Sequence, residues 1–533
     1  MMITAVKSLA DRLASSPRRL WAVSFTIFLL LGASWSLATP VGASPDEAAH
    51  LIRAAAVARG QVDGREVMVP HVVADIEGHF SETEVTLPRM YQDVKDVNAC
   101  YVFKSDVPAS CAPKLKDEPG TAPVTTAAGR YHPAYYFAVG WPSLLVGGEP
   151  ALYLMRLMSA AICAALVASA MVSAAEWRRR DFTLLGVITA ATPMALFMFG
   201  MVNPSGPEIA AGILVWSAGL PMLINPDPHL LNRRLVRLGI GALVLISIRP
   251  LGLIWFSGAL FFALLLQTKG ALREVLRRKA TWFWGLAAVA AAGSAYAWAA
   301  QHPDHSVIDT PSSLTPLVAA RKTFDNSLDY IKQMVGYFGW LDAPPPAATL
   351  LVWSGVVLAL VLFALCFAKV RDTLAIAGAM AGIIAIPIVA QAMQAKSLGM
   401  IWQGRYLLPF AVGLPIVCAV ICHERLPLGG SFTWRRLLVL SSFSLTVVNV
   451  AAFLWALRRN AVGTKGSLFI SPAHWVPPGG WPLWVAVYTV AALALGVLVA
   501  VSDNRGRGGL DAGGAGGGAT DRRGRLAAVH AGA

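Results

Sequence analysis

The sequence predicts an all-α integral membrane protein with about twelve transmembrane helices and two large extracytoplasmic loops that carry interfacial helices. Three observations point there. The 533 residues are 56% hydrophobic and only 14% charged, with a mean hydropathy of +0.58, far from the usual balance of a soluble domain. Apolar runs long enough to span a bilayer recur along the chain. The Lys and Arg residues behind the net charge of +14 gather in short loops between those runs, as the positive-inside rule requires. That pattern reads the charge as topology and sets nucleic-acid binding aside.

Residues Met1 to Ala43 mimic a secretory signal, with Arg18 and Arg19 ahead of an apolar run and Val41-Gly42-Ala43 where cleavage would fall. The run Leu20–Ala38 is too long for most signals and long enough to span, which makes it an uncleaved anchor with residues 1–19 in the cytoplasm. The polar stretch Thr39–Tyr131 follows. It opens on Ser44-Pro45-Asp46-Glu47-Ala48-Ala49-His50, which reads as a helix start: Ser44 as N-cap, Pro45 as first helical residue, Glu47 closing a capping box, and a stop at Gly60. Its middle, Val67–Val73 and Tyr101–Phe103, is too irregular to assign strands. Cys100 and Cys111 share this stretch and, outside the cytoplasm, are a candidate disulfide that spacing alone does not establish. Cys163, Cys366, Cys418 and Cys422 sit in or at the ends of apolar runs and read as inert. Taken as a span, His132–Val146 would push Arg178-Arg179-Arg180 outside. It is read instead as a second interfacial helix, so that the first outer loop covers 39–149.

The spans Ala151–Ala175, Phe182–Met201 and Ile209–Ile224 then alternate, leaving Arg233, Arg234 and Arg237 in the cytoplasm. Between Arg237 and the basic run Lys269–Lys279, Arg249-Pro250 interrupts an apolar stretch whose two flanks both belong inside. Two short spans turning at Arg249 satisfy this, whereas one long tilted span breaks the alternation. Trp282–Ala300 leads to the second outer loop, 301–346, with an amphipathic helical section at Leu317–Phe338. Spans at Ala347–Phe367, Leu374–Ala392, Tyr406–Ile421, Leu437–Ala456 and Leu483–Val501 complete a membrane domain over 20–501. The Gly- and Arg-rich segment 502–533 can bury no core and reads as a disordered cytoplasmic tail.

No Walker loop, Gly-rich nucleotide fingerprint or paired His/Cys zinc spacing is present. What remains is a set of polar residues predicted to meet on the outer face: Asp46, Glu47 and His50; Arg130 and His132; Arg249; and Lys396 with Gln403-Gly404-Arg405-Tyr406. Such a set suits a lipid-linked phosphate, since Arg clamps phosphate bidentately and a carboxylate can take a proton from an attacking hydroxyl. An acid at the third helical position is held by its own cap, which leaves Asp46 as the candidate general base, with His50 one turn on and Glu47 as the capping partner. Asp46 and His50 could hold a divalent cation, although two ligands are too few to assert a metal. Structural readings compete at each position. First-turn acids answer the helix dipole, worth about 0.3–1 kcal/mol. Arg156 and Arg405 can be snorkelling anchors, His132 a cap before proline, and Asn203–Glu208 an outer turn or, through Asn203 or Glu208, part of a cavity lining. Arg249 is costly inside an apolar stretch without a function.

With those residues in view, the acids at the end of the first span, the His132-Pro-Ala-Tyr-Tyr136 surface helix and Leu154-Met-Arg-Leu-Met-Ser159 resemble the GT-C superfamily of integral-membrane glycosyltransferases. Ser44-Pro-Asp-Glu47, Phe338-Gly-Trp-Leu-Asp342 and Gln403-Gly-Arg-Tyr406 are more specifically similar to the bacterial membrane family called domain of unknown function 2142. The likeness runs from Leu20 to about Val501. The resemblance implies a GT-C-like architecture, a polyprenyl-phosphate-sugar donor, transfer on the outer side of the bacterial cytoplasmic membrane to a glycan, lipid or protein of the cell envelope, and a catalytic acid that maps to Asp46 with Glu47 beside it. The phosphate-binding assignments to Arg249, Arg405, His132, Arg130 and Lys396 come from their predicted position. A lipid-linked-sugar flippase or transporter, and a polysaccharide polymerase or ligase, are the alternatives. The first needs ionisable residues through the mid-membrane, which are sparse, and the second centres more naturally on loop Arg and His without a first-loop acid pair.

Overall fold

The computed structural model describes residues 16–73, 76–177, 180–308, 314–426, 432–500 and 502. The expectations for the first fifteen residues, for Arg178 and Arg179 and for the tail beyond Ser502 lie outside them. Every apolar run is helical. In chain order the helices are α1 (Pro17–Leu37), α2 (Glu47–Ala58), α3 (Met90–Lys95), α4 (Pro133–Gly140), α5 (Gly148–Ala175), α6 (Arg180–Ala190), α7 (Pro193–Phe199), α8 (Ser205–Ile224), α9 (Leu231–Ile248) and α10 (Gly252–Leu265). They continue with α11 (Ala271–Leu276), α12 (Lys279–Gln301), α13 (Pro316–Asp325), α14 (Ser327–Gly336), α15 (Ala347–Phe367), α16 (Val370–Leu398), α17 (Leu408–Ala411), α18 (Gly413–Arg425), α19 (Phe432–Val462) and α20 (Trp481–Ala500). Among the described residues nine helices are long and apolar enough to cross a membrane, and ten if α6 and α7 count as one span bent by 68°. The bend falls where Thr192 caps α7 ahead of Pro193, whose ring cannot continue the preceding helix.

The all-α expectation is corrected by an antiparallel sheet: the first polar stretch supplies β1 (Arg65–Val73), β2 (Ile76–Pro88) and β3 (Thr121–Thr126), and the second polar loop adds the short β4 (Val307–Ile308). Strand β2 is central, pairing with β1 on one edge and with β3 and β4 on the other. Along β2 the side chains alternate, with Val85 and Leu87 buried and Thr86 exposed. Those two residues and Val124 of β3 pack with Leu51, Ile52 and Ala55 of α2 and Tyr136 and Val139 of α4 in a second core that rests on Leu152 and Met155 of α5 and Ile248 of α9. Cys100 and Cys111 are joined by a disulfide.

The Arg249 region is a hairpin, read from what each end bonds. At the start of α9 the Arg234 guanidinium donates to the carbonyls of Pro221 and Asn225 at the far end of α8, and Arg249 at the other end of α9 reaches Ser205 and Glu208 at the beginning of α8. Helix α10 then returns, since Thr268 beyond it donates to Leu223. The bundle thus has two distinct ends. One gathers Asp46, Arg249 and Arg405. The other gathers Arg234 and Arg237 on Glu176, and Arg425 on Asp372.

The predicted surface helix at His132 is α4, followed by a short 3-10 turn, with Phe137, Trp141, Leu144 and Leu145 exposed beside it. Helix α12 has no buried residue at all, and Trp282, Phe283, Leu286 and Tyr296 point outward. It lies on the rim of the bundle against α9.

Candidate active site

Helix α2 begins at Glu47, two residues later than the capping-box reading places it. Asp46 precedes it with φ 60° and ψ 3°, in the left-handed region that Asp and Asn tolerate better than most residues. Asn203 fixes this turn by donating from Nδ2 to the Pro45 carbonyl at 2.9 Å, and its Oδ1 accepts from the Ser205 N–H. With the backbone turned this way, the two neighbouring acids leave in different directions.

Glu47 turns inward and is fully buried, so its assignment as a cap is corrected. Arg156 of α5 clamps both of its oxygens, Nε to Oε1 at 2.7 Å and Nη2 to Oε2 at 2.5 Å, and the backbone N–H groups of Gly42 and Val202 complete its shell. Arg156 spends its other N–H groups on the carbonyls of Ser36, Thr39 and Pro40, where α1 ends. It is a buried structural clamp and not a snorkelling anchor. Gly42 sits at φ 75° against Val97, and its carbonyl accepts from Asn98 and from the Trp340 indole. This contact explains the Phe338–Asp342 motif. Phe338 packs on Trp35 and Phe197, and Asp342 accepts from the Trp340 N–H and pairs with Arg459, so the second polar loop is locked onto the acid-bearing turn of the first.

Asp46 turns the other way. Its Oδ2 accepts from Arg405 Nη2 at 2.6 Å, and its side chain is 45% exposed whereas that of Arg405 is fully buried. Arg405 is positioned because Gly404 lies flat against the Tyr330 carbonyl and donates to Gln333 of α14, an approach that a Cβ would block at 2.3 Å. Tyr406 stands between two cations: its ring centroid is 5.0 Å from the Arg405 guanidinium carbon and 5.4 Å from that of Arg249. Arg249 also lies 5.6 Å from the Tyr131 ring and bonds Ser205 at 3.1 Å and Glu208 at 3.4 Å. His50 is buried one turn along α2, with Nδ1 bonded to the Tyr136 hydroxyl at 2.8 Å. Burial, and then the charges of Arg249 and Arg405, hold its imidazole well below its ordinary value, and so neutral.

Four buried nitrogens of this cluster, Arg405 Nε and Nη1, Arg249 Nε and His50 Nε2, have no hydrogen-bond partner among the described residues. A buried donor left unpaired costs about 1–3 kcal/mol, so the arginine N–H groups of this cluster are free to donate to acceptor atoms from outside the chain, water included. The residues do not make a protein cage for a divalent cation. Tyr136 occupies His50 Nδ1, and no group of three or more His, Cys, Asp or Glu side chains comes together among the described residues.

Not every residue singled out in the sequence arrives here. Arg130 pairs with Asp304, His132 bonds Ser294 and the start of α4, and Lys396 stands exposed near the end of α16. Tyr131 and Tyr136 join the cluster through their side chains, Glu208 takes the cavity-lining place that was its second reading, and Arg156, read as an anchor, is the clamp on Glu47. Arg156 was findable: an ionisable residue inside a long apolar helix invites the same question that Arg249 did.

The fold and this site define a polytopic helical membrane protein with an acid, two arginines and a ring of tyrosines at one end of its bundle. The chain belongs to the DUF2142 family, described as predicted membrane proteins, whose model matches residues 29–414. Among solved structures it is similar to ArnT from Cupriavidus metallidurans in the apo state, at 15% identity and a TM-score of 0.43 over 92% of this chain and 78% of that one. It is also similar to ArnT from the same organism bound to undecaprenyl phosphate, at 14% identity and a TM-score of 0.39 over 92% of this chain and 77% of that one. No curated protein matches the chain.

Proposed function

We propose that this protein is a GT-C-like membrane glycosyltransferase that moves a sugar from a polyprenyl-phosphate donor to a cell-envelope acceptor on the outer face of the bacterial cytoplasmic membrane. The observation that carries the reading is a partly exposed carboxylate, Asp46, bonded to an arginine, Arg405, whose Nε and Nη1 are buried and unpaired, beside a second arginine, Arg249, with an unpaired Nε. In transfer, an acceptor hydroxyl oxygen bonds to the anomeric carbon of the donor sugar. The bond from that carbon to the phosphate oxygen breaks, and its electron pair leaves with the polyprenyl phosphate. Asp46 takes the hydroxyl proton on the carboxylate oxygen that Arg405 does not hold, while Arg405 and Arg249 balance the charge gathering on the leaving phosphate.

An apolar groove suits the lipid half of the donor. With a volume of about 530 Å³, it runs between α15, α16 and α18, lined by Trp353, Val357, Val361 and Ile384 and closed at one end by Met334 of α14 and by Leu408. Leu408 is three residues from Arg405, and α14 is the helix that holds Gly404. Leu358 and Met380 on its rim are half exposed, so the groove faces the surrounding lipid.

In this reading the Asp46 end faces outward, because the short basic loops carrying Arg233, Lys269 and Arg371 belong to the other end. A cysteine placed at Lys114 is expected to react with an impermeant maleimide in intact spheroplasts and one at Arg233 only after permeabilisation. The reverse pattern overturns the orientation and, with it, the side on which transfer takes place.

Arg405→Lys keeps a cation for Asp46 and loses the planar fork. Removing part of a desolvated phosphate contact costs about 2–5 kcal/mol, so the dissociation constant for a polyprenyl phosphate is expected to rise by tenfold or more. Calorimetry on the protein in nanodiscs measures it. Unchanged affinity returns Arg405 to a purely structural part, and failure of the unmodified protein to consume any polyprenyl-phosphate sugar turns the reading toward a lipid-linked-sugar transporter.

A further inference from the structure

A second cavity, of about 300 Å³, opens at the Asp46 end between the sheet and the stretch that leaves α12. That volume is at the lower edge of ligand pockets, which run to about 300–1,000 Å³. Its walls are charged and polar. From the sheet side come Asp63, Glu66 and Ser81, and from the other side His302 and His305, with Arg130 at the edge. Asp63 bonds His302 Nε2 through Oδ1 at 2.8 Å, and Glu66 bonds His305 Nδ1 at 2.9 Å and the Ser81 hydroxyl. Asp63 is three-quarters exposed, and Glu66 and His305 about half, so these pairs stand open to a ligand.

The cavity backs onto the transfer centre. Arg53, on the same helix as His50, donates to the Val62 carbonyl at 2.7 Å on the cavity wall and to the Tyr131 carbonyl at 3.2 Å. Tyr131, next to Arg130 in the chain, presents its ring to Arg249. One wall therefore serves both spaces.

The chemistry of the lining selects its ligand. A carboxylate accepts hydrogen bonds only and a guanidinium donates only, so carboxylate, imidazole and hydroxyl groups set alternately around a small space match vicinal hydroxyls, each of which donates and accepts. Asp63 and Glu66, with Arg130 already paired to Asp304, leave no surplus cation for a phosphate or a uronate.

We propose that this cavity is a saccharide subsite, holding a neutral, hydroxyl-rich sugar of the acceptor beside the transfer centre. The inference rests on the transferase reading above, and its test does not need turnover. The full chain in nanodiscs is applied to a printed array of neutral, N-acetylated and uronate-containing oligosaccharides, and the affinity of the same preparation for a polyprenyl phosphate is measured alongside. Neutral or N-acetylated oligosaccharides are expected to be retained. Asp63→Asn combined with Glu66→Gln is expected to weaken retention by about tenfold, as two charge-assisted bonds become neutral ones, and Ser81→Trp to abolish it by filling the space. The double variant changes only exposed atoms and guards against loss of fold in the tryptophan variant. Retention of nothing, preference for uronates, or undiminished retention by the double variant overturns the subsite. If polyprenyl phosphate still binds in that case, the transferase reading stands without it, and if it does not, both fall together.

Discussion

Asp46→Asn is expected to lower transfer from a polyprenyl-phosphate sugar by about 10²–10⁴-fold, the usual contribution of a positioned base, with folding and donor binding nearly unchanged. The substitution keeps an oxygen for Arg405 and removes the site that takes the proton. Asparagine also accepts the backbone conformation at this position, so the comparison isolates the charge. Single-turnover transfer by purified protein, with thermal stability and polyprenyl-phosphate affinity measured beside it, reads the effect. Near-normal transfer by Asp46→Asn would remove Asp46 from the chemistry.

Glu47→Gln is expected to behave in the opposite manner, costing about 3–5 kcal/mol of stability because it strips the partner from a fully buried arginine. The glutamine amide would also turn two hydrogens toward a shell made entirely of donors: two from Arg156 and the N–H groups of Gly42 and Val202. The loss should appear as a large fall in thermal midpoint in detergent, and activity should fall in proportion to the folded fraction. A midpoint equal to that of the unmodified protein would mean that the clamp between α1, α2 and α5 is dispensable.

These two acids also show where sequence reasoning reached and where it stopped. Hydropathy and basic loops located the helices, including the hairpin at Arg249, because in a bilayer those signals are imposed residue by residue on the local chain. The capping-box rule is local too, and it misassigned Glu47 because the competing partner, Arg156, is distant in sequence and stronger than a cap. The same distance hid the partnership of Asp46 with Arg405 and of Arg249 with Glu208, although the residue types themselves stood out. The sheet was missed for a different reason. Val85 and Leu87 alternate over a span too short to be decisive, and the strand is fixed by β3 and by residues as far away as Val307. Arg130, His132 and Lys396 were legible as polar residues near the right end of the bundle, but the elements that carry them direct Arg130 and His132 to other partners and leave Lys396 on the surface.

The left-handed turn at Asp46 narrows what this position can become over evolutionary time. At φ 60° a β-branched or bulky residue carries a steric penalty of roughly 1–2 kcal/mol, which glycine does not and which asparagine and aspartate offset with local hydrogen bonds. Of those three comfortable residues only one is negatively charged. Under the transferase reading, a single codon change to asparagine or glycine would therefore leave a folded, membrane-inserted chain without the proposed acid. Relatives of this protein that have exchanged chemistry for binding would be recognisable by Asn or Gly at this site above an intact Glu47–Arg156 clamp.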